Sequence, residues 1–206
     1  MWEVKLAILI PTLTERVKLK ERLITTLKKQ INKLPNPDGV VIFCNEDNGE
    51  KKIGEKRNEL IANAKEVKAI SIANFDDDDL PGENYIARQL EGIDAGFDCC
   101  SLWGQIYFHG IAGKPFHHSI IHKEWWEDQK FYYRMPNHLN AIRLDKVKDI
   151  PYHPQNFGED GRWSNEVRDA GVLKTEYQIN ETIYHYFTGK KGSAIETEVF
   201  NKLMSL

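Results

Sequence analysis

The 206-residue chain carries 28 Lys and Arg against 31 Asp and Glu, a formal net charge of −3, with 41% hydrophobic and 29% charged residues. Such a composition fits a soluble globular chain with room for one large domain or two small ones. The near balance of charge excludes a global electrostatic pull toward nucleic acid or an anionic membrane.

From the N-terminus, "VKLAILI" (4–10) reads as a buried strand that Pro11 ends. The opening stretch is too short and lacks the small-residue cleavage site of a signal peptide, and no run approaches the ~18 apolar residues of a membrane span, so a cytoplasmic location is expected. Leu19, Leu23, Leu27 and Ile31 recur every four residues, the stripe of an amphipathic helix whose other faces carry Lys18, Lys20, Lys28 and Lys29. "LPNPDG" breaks that helix, and "VVIFC" (40–44) is a second strand. "GEKRNELIANAK" (54–65) is a second helix with Leu60, Ile61 and Ala64 on its apolar side. "AISIANF" (69–75) is a third strand. "LPGENYIARQLEGIDAG" (80–96) is a third helix, begun at Pro81 and closed near Gly96, before a fourth strand at "FDCCSLW" (97–103). The alternation implies a Rossmann-like α/β layer, a mostly parallel central sheet with helices on both faces. The second half is less regular, with short strand-like pieces at "GQIYFHG", "FHHSIIH", "LKTEY" and "TIYHYF" and one helix from about Asp160 to Ala170. No repeat, linker or low-complexity segment interrupts residues 1–206, so a single domain is expected. The three cysteines, Cys44, Cys99 and Cys100, match neither a zinc site nor a disulfide framework and are expected as buried free thiols in a reducing compartment.

Directly after the third strand, Asp76, Asp77, Asp78 and Asp79 stand side by side. Two like charges ~4 Å apart repel by roughly 4 kcal/mol at an effective dielectric near 20, so the acids either stay in water or meet an offsetting charge. Ligands of open parallel sheets bind beyond the carboxyl ends of the strands, where this run falls. Hard carboxylate oxygens suit Mg or Mn, so a divalent-cation site is expected in preference to a solvated acidic loop. A phosphate-loop ATPase is excluded, because "GIAGKP" and "TGKKGS" both miss the G-x-x-x-x-G-K-[ST] spacing. An aspartyl-phosphate phosphatase is excluded, because "LIPTLTE" carries no acid pair after the first strand. An enzyme acting on a nucleotide-sugar survives.

Four segments then resemble, in order, the motifs of GT-A glycosyltransferases, close to the large inverting family 2 in a compact phage or bacterial form. "LAILIPTLTERVKLKERLITTLKKQ" is similar to that family's opening strand, Pro-Thr turn and helix ending in Gln. "GEKRNELIANAKEVKAISIANFDDDDLPGENYI" resembles its Lys-Arg-Asn helix and Asp-x-Asp metal motif, "GEDGRWSNEV" its Glu-Asp pair, and "IYHYF" its late histidine. The resemblance covers about residues 4–187. It implies transfer of a hexose from a UDP-sugar to an acceptor hydroxyl with Mn or Mg, residues of about 1–100 holding the nucleotide and about 101–206 the acceptor. Pro11, Thr12, Lys56, Arg57 and Asp76 fall on the nucleotide side. Either Asp78 or Asp79 holds the metal, with His185 completing the site, and two registers of the run stay open, Asp78 meeting the nucleotide in one of them. Where the family shows an acidic pair that meets uracil, this chain has "CNEDNGE", which leaves Asn45, Glu46 or Asp47 for the role. Asp160, with Glu159 beside it, is the candidate base, since one carboxylate suffices to take the acceptor's proton; an acid at that point is also a common helix cap.

"YYRMPNHLNAIR" (132–143) crowds Arg134, Asn137, His138 and Asn140 into a short non-helical stretch. Loops with such polar groups line sites, so this segment is expected near the transferred sugar or acceptor, together with Trp103, Gly104 and Trp163. His117, His118 and His122 have zinc-like spacing but alternate like a strand, which assigns them to the acceptor cleft or to no site. The acceptor is a glycan, a lipid-linked sugar or a hydroxymethylated DNA base; the net charge of −3 speaks against the last, while the first helix's lysines and Lys190 and Lys191 leave it open. Two rivals remain: a nucleotidyltransferase, which would need a glycine-rich loop where "PTLTERVKLK" has none, and a non-catalytic sugar- or nucleotide-binding domain.

Overall fold

A computed structural model describes residues 3–188; Lys190 and Lys191 lie outside the described residues. In chain order the elements are β1 (Leu6–Leu13), α1 (Val17–Ile31), β2 (Val40–Asp47), α2 (Ile53–Glu66), β3 (Ser71–Asn74), β4 (Leu80–Pro81), α3 (Tyr85–Asp94), β5 (Cys99–Cys100), β6 (Leu102–Phe108), β7 (Ile111–His118), β8 (Trp126–Glu127), β9 (Tyr132–Arg134), β10 (Ile142–Arg143), α4 (Leu144–Val147), α5 (Glu159–Ala170), β11 (Glu176–Tyr177) and β12 (Thr182–Thr188). One sheet runs β11-β5-β10-β3-β1-β2, and a second runs β4-β12-β6-β7-β9-β8. In the first, β1 pairs in parallel with β2 and β3, while β10 is antiparallel to both its neighbours.

The period-2 alternation of β1 builds the two faces of this sheet. Leu6, Ile8 and Ile10 join Leu23 and Leu27 of α1 and Tyr85, Ile86 and Ile93 of α3. Ala7 and Leu9 join Leu60, Ile61 and Ala64 of α2, Leu144 and Val147 of α4, and Trp163 and Val167 of α5. Each large aliphatic or aromatic side chain so buried stabilises by about 1.5–3 kcal/mol.

Four sequence expectations are corrected. β1 continues through Pro11 to Leu13, because β3 pairs with it only as far as Leu9 and leaves the missing N–H of Pro11 on an unpaired side. Pro81 does not begin a helix; Leu80 and Pro81 pair with β12, and α3 starts at Tyr85. The two halves interleave, since β10 and β11 complete the first sheet and β4 joins the second. Of the three free cysteines, Cys44 is exposed, on β2 at the edge of its sheet.

Candidate active site

The acid run leaves β3 in a turn closed by the Asp79 N–H donating to the Asp76 carbonyl (3.2 Å), which sends the four carboxylates in different directions. Asp76 accepts from Arg57 (3.1 Å) and faces His138 Nε2 at 3.4 Å. Asp77 is buried and accepts from the Thr12 hydroxyl and from Arg16, each at 2.6 Å. The other arm of the Arg16 fork reaches Asp78 at 3.0 Å. Asp79 is fully buried beneath β12, accepting from the Tyr184 hydroxyl (2.7 Å) and the Phe187 N–H (2.8 Å). Guanidinium groups therefore offset much of the repulsion. Against the cost of burial, the Arg57 charge and His138 hold the Asp76 carboxyl well below the usual range, whereas burial, with Asp76 nearby, pushes the Asp79 carboxyl well above it.

The second acid pair arrives through a loop fastened to α2. The Ile53 N–H donates to Asn156 Oδ1 (3.1 Å), the Gly54 N–H to the Gln155 carbonyl (3.3 Å), and Asn58 exchanges two hydrogen bonds with the Tyr152 backbone. Tyr152 stacks on Trp163 at 4.8 Å and lies under Arg57. Gly158, at φ 73°, turns the chain into α5 in a conformation that favours glycine. Glu159 is thereby buried against Arg57 (Nε at 3.4 Å), while Asp160 faces the cleft, 3.8 Å from His138 Nδ1. Arg57 thus ties Asp76 to Glu159, and His138 stands between Asp76 and Asp160.

Two hollows meet at this point. The larger, about 470 Å³, is lined by Pro11, Arg16, Asp76, Asp78, Asn156 and Phe157 among others. The smaller, about 250 Å³, has Phe116, Trp125 and Tyr132 as aromatic walls, with His118, Arg134 and Asn137. Asp76, His138, Asp160 and Tyr186 line both.

Several expected site residues lie elsewhere. Asp79 has both oxygens engaged away from the cleft. His185 alternates with Tyr184 and Tyr186 on β12 and so enters a separate hollow with Lys29, Gln30, Lys33, Glu83 and Glu181, where no aspartate of the run is present; burial pushes its imidazole down to about 4. Trp103 points to the far face of β6, stacked on His117 at 4.2 Å. His117 and His122 bond each other there at 3.1 Å. Trp163 is a core residue donating to the Ile150 carbonyl at 2.9 Å, and Gly104 lies under the Phe116 ring. Lys56 is buried, donating to the Thr12 carbonyl at 2.6 Å and pairing with Asp47. Against its own desolvation, Asp47 is drawn down to about 2 by Lys56 and by the N–H groups of Gly49 and Lys51, so it pins its loop. Asn45 donates to Glu59 at 2.6 Å and Glu46 pairs with Lys20, so neither enters the large hollow. Asn137 uses its side-chain oxygen to accept from the Leu139 N–H at 3.0 Å while lining the small hollow.

Among the described residues, no three His, Cys, Asp or Glu side chains converge as a metal cage. Asp76 and Asp78 nevertheless line the large hollow with side chains 25% and 12% exposed. A magnesium-like cation needs one or two carboxylates when phosphate oxygens and water complete its shell. The donor set therefore fits a cation shared with a diphosphate. Sequence reasoning missed Arg16, Tyr186, Trp125 and Phe157, which is 91% exposed at the cleft rim. Arg16 had a usable signal, a cation in the turn after the strand beside the acid run; the aromatics had none.

No protein-family profile and no curated protein matches the sequence. Solved structures do. The S. aureus TarS structure of residues 1–349 in complex with UDP-GlcNAc is 13% identical with TM-score 0.59, over 98% of this chain and 66% of that one. The chain thus spans just under two thirds of that TarS chain. Drosophila β-1,4-galactosyltransferase 7, in a mutant complex with manganese, UDP-Gal and xylobiose, is 16% identical with TM-score 0.56, over 95% and 79% of the two chains. A197 from STIV is 14% identical with TM-score 0.54, over 90% and 86%. The chain has a GT-A-like fold.

Proposed function

We propose that this chain is an inverting glycosyltransferase that moves a hexose from a UDP-sugar to an acceptor hydroxyl with Mn or Mg, working in the cytoplasm. One observation carries the reading: Asp160 stands on the boundary shared by the two hollows, with the acid run in the larger and aromatic walls in the smaller. A direct displacement needs the acceptor oxygen and the leaving diphosphate on opposite faces of C1, with the base beside the acceptor oxygen. TarS crystallised with UDP-GlcNAc and the Drosophila enzyme with manganese and UDP-Gal support the donor and metal. Among the described residues no helix is long and apolar enough to cross a membrane.

In this mechanism the diphosphate lies in the larger hollow and the sugar's C1 faces Asp160. The acceptor oxygen attacks C1 as its proton passes to the Asp160 carboxylate. The bond from C1 to the phosphate oxygen breaks, UDP leaves with the electron pair, and the configuration at C1 inverts. Asp76 or Asp78 would hold a divalent cation here, and such a cation would offset the charge growing on the diphosphate. Arg57 keeps Asp76 ionised, and His138 holds it apart from the base.

Thermal melts with UDP- and GDP-sugars, each with and without Mn, test the reading. A ligand at 100 times its dissociation constant adds about 2.7 kcal/mol, or roughly 5–10 °C for a chain of this size. A shift that needs both Mn and a UDP-sugar is expected. If no nucleotide shifts the transition, the reading fails.

A further inference from the structure

We propose that the smaller hollow takes a sugar ring carrying one anionic group, a phosphate or a carboxylate, and that Arg134 reads that group. The proposal rests on the transferase reading above, for it names the class of acceptor. Its warrant is a guanidinium with no direct carboxylate partner among the described residues, in a hollow whose two carboxylates, Asp76 and Asp160, both face His138. Near the cleft, Arg16 and Arg57 each serve two carboxylates. Arg134 makes no direct ion pair among the described residues, the Glu127 carboxylate acting on it from farther off: its guanidinium donates to the carbonyls of Trp126 (3.3 Å) and Tyr133 (3.1 Å) and lies 4.8 and 5.2 Å from the rings of Trp125 and Tyr132. Both donations come from one terminal nitrogen, Nη1, so among the described residues the rest of the fork carries no hydrogen bond. Among the described residues, no other Lys or Arg lines this hollow.

The surrounding groups complete a recognition site for such a ring. Trp125 and Phe116 line the hollow with aromatic rings for the C–H face of a sugar, Tyr132 carrying the Lys114 ammonium and the Arg134 guanidinium over its ring, and Trp125 stands 44% exposed beside Gly161, in the turn that holds Asp160. His118 and His138 line the same hollow, are buried, and each keeps an Nδ1 with no hydrogen-bond partner. Each such nitrogen can meet one hydroxyl of the ring. A guanidinium fork matches the geometry of a carboxylate or phosphate. A hydroxyl on the same ring then lies within reach of Asp160.

The test compares neutral methyl hexosides of gluco, galacto and manno configuration with their 6-phosphates and uronates. Binding to the full chain is read from the indole N–H signal of Trp125 in nitrogen–proton spectra, identified with Trp125→Phe. At least one charged member is expected to bind roughly 10- to 100-fold tighter than its neutral counterpart, as hydrogen bonds to charged groups allow. Which charged series wins decides between phosphate and carboxylate. Arg134→Gln is expected to erase the preference and keep the neutral affinity, and Arg134→Lys to keep part of it; the melting temperature of each variant reports whether the β8–β9 pairing survives. Equal affinities within every pair would overturn the proposal, as would a preference unchanged in Arg134→Gln. A hydroxymethylated DNA duplex that shifts Trp125 when no sugar does would also overturn it. UDP and Mn binding, measured on the same samples, judges the transferase reading separately.

Discussion

Replacing Asp79 by alanine and by asparagine separates a structural carboxyl from a metal ligand. Asp79 accepts from two donors buried with it, the Tyr184 hydroxyl and the Phe187 N–H. Alanine removes the acceptor from both, and at about 1–3 kcal/mol for each buried donor the loss is about 2–6 kcal/mol. At about 2–4 °C per kcal/mol, the melting temperature falls by roughly 5–20 °C. Asparagine keeps the shape and the acceptor for the Phe187 N–H but sets an amide N–H where the Tyr184 hydroxyl donates, so one buried donor loses its acceptor and the loss should be about 1–3 kcal/mol. The sign with pH follows from the raised carboxyl. The folded state keeps a proton that the unfolded chain releases near pH 4, so wild-type stability falls as pH rises from there toward the raised value. The amide cannot titrate, so Asp79→Asn flattens that slope and gains on the wild type as pH rises. Melts in steps from pH 4 to 8, with and without UDP and Mn, measure all of this. An Asp79→Asn protein that keeps its melting temperature but loses the Mn-dependent shift would refute the reasoning and restore Asp79 as a ligand.

Asp160→Asn should lower transfer by about 10²- to 10⁴-fold, the usual worth of a general base, while UDP binding by calorimetry stays within about threefold, a change under ~1 kcal/mol. Arg57→Met leaves Asp76 and Glu159 without their shared cation and should cost about 3–5 kcal/mol near neutral pH. Because Arg57 holds the Asp76 carboxyl low, that cost is present above about pH 4 and shrinks as Asp76 takes up its proton below it; a gap that is constant with pH in denaturant melts would contradict the ion-pair account. Gly54→Ala puts a methyl group 1.8 Å from the His153 carbonyl oxygen, displacing the loop that leads to Asp160. It should cost about 1–3 kcal/mol and lower kcat more than it weakens UDP binding, and equal losses in both would argue against this loop as the support of the base.

Much of this molecule is local and therefore legible in the chain. The four-residue stripe of α1, the apolar runs of β1 to β3 and the acid run at the end of β3 are periodicities and positions, and they determined the layered fold and the edge at which the candidate site lies. What they could not determine was which way each of four adjacent carboxylates points. A turn fans them apart, and the partners that sort them, Arg16, Arg57, Tyr184 and His138, come from four distant parts of the chain. The same limit applies to His185: its type and place near the end of the chain resemble a metal ligand, yet strand alternation turns it to the other side of β12. Strand ends misled for a related reason, since Pro11 and Pro81 are tolerated because of which neighbour is absent or present beside them. The roles of single side chains were decided by tertiary packing, because charge offset and burial depend on what lies across the fold.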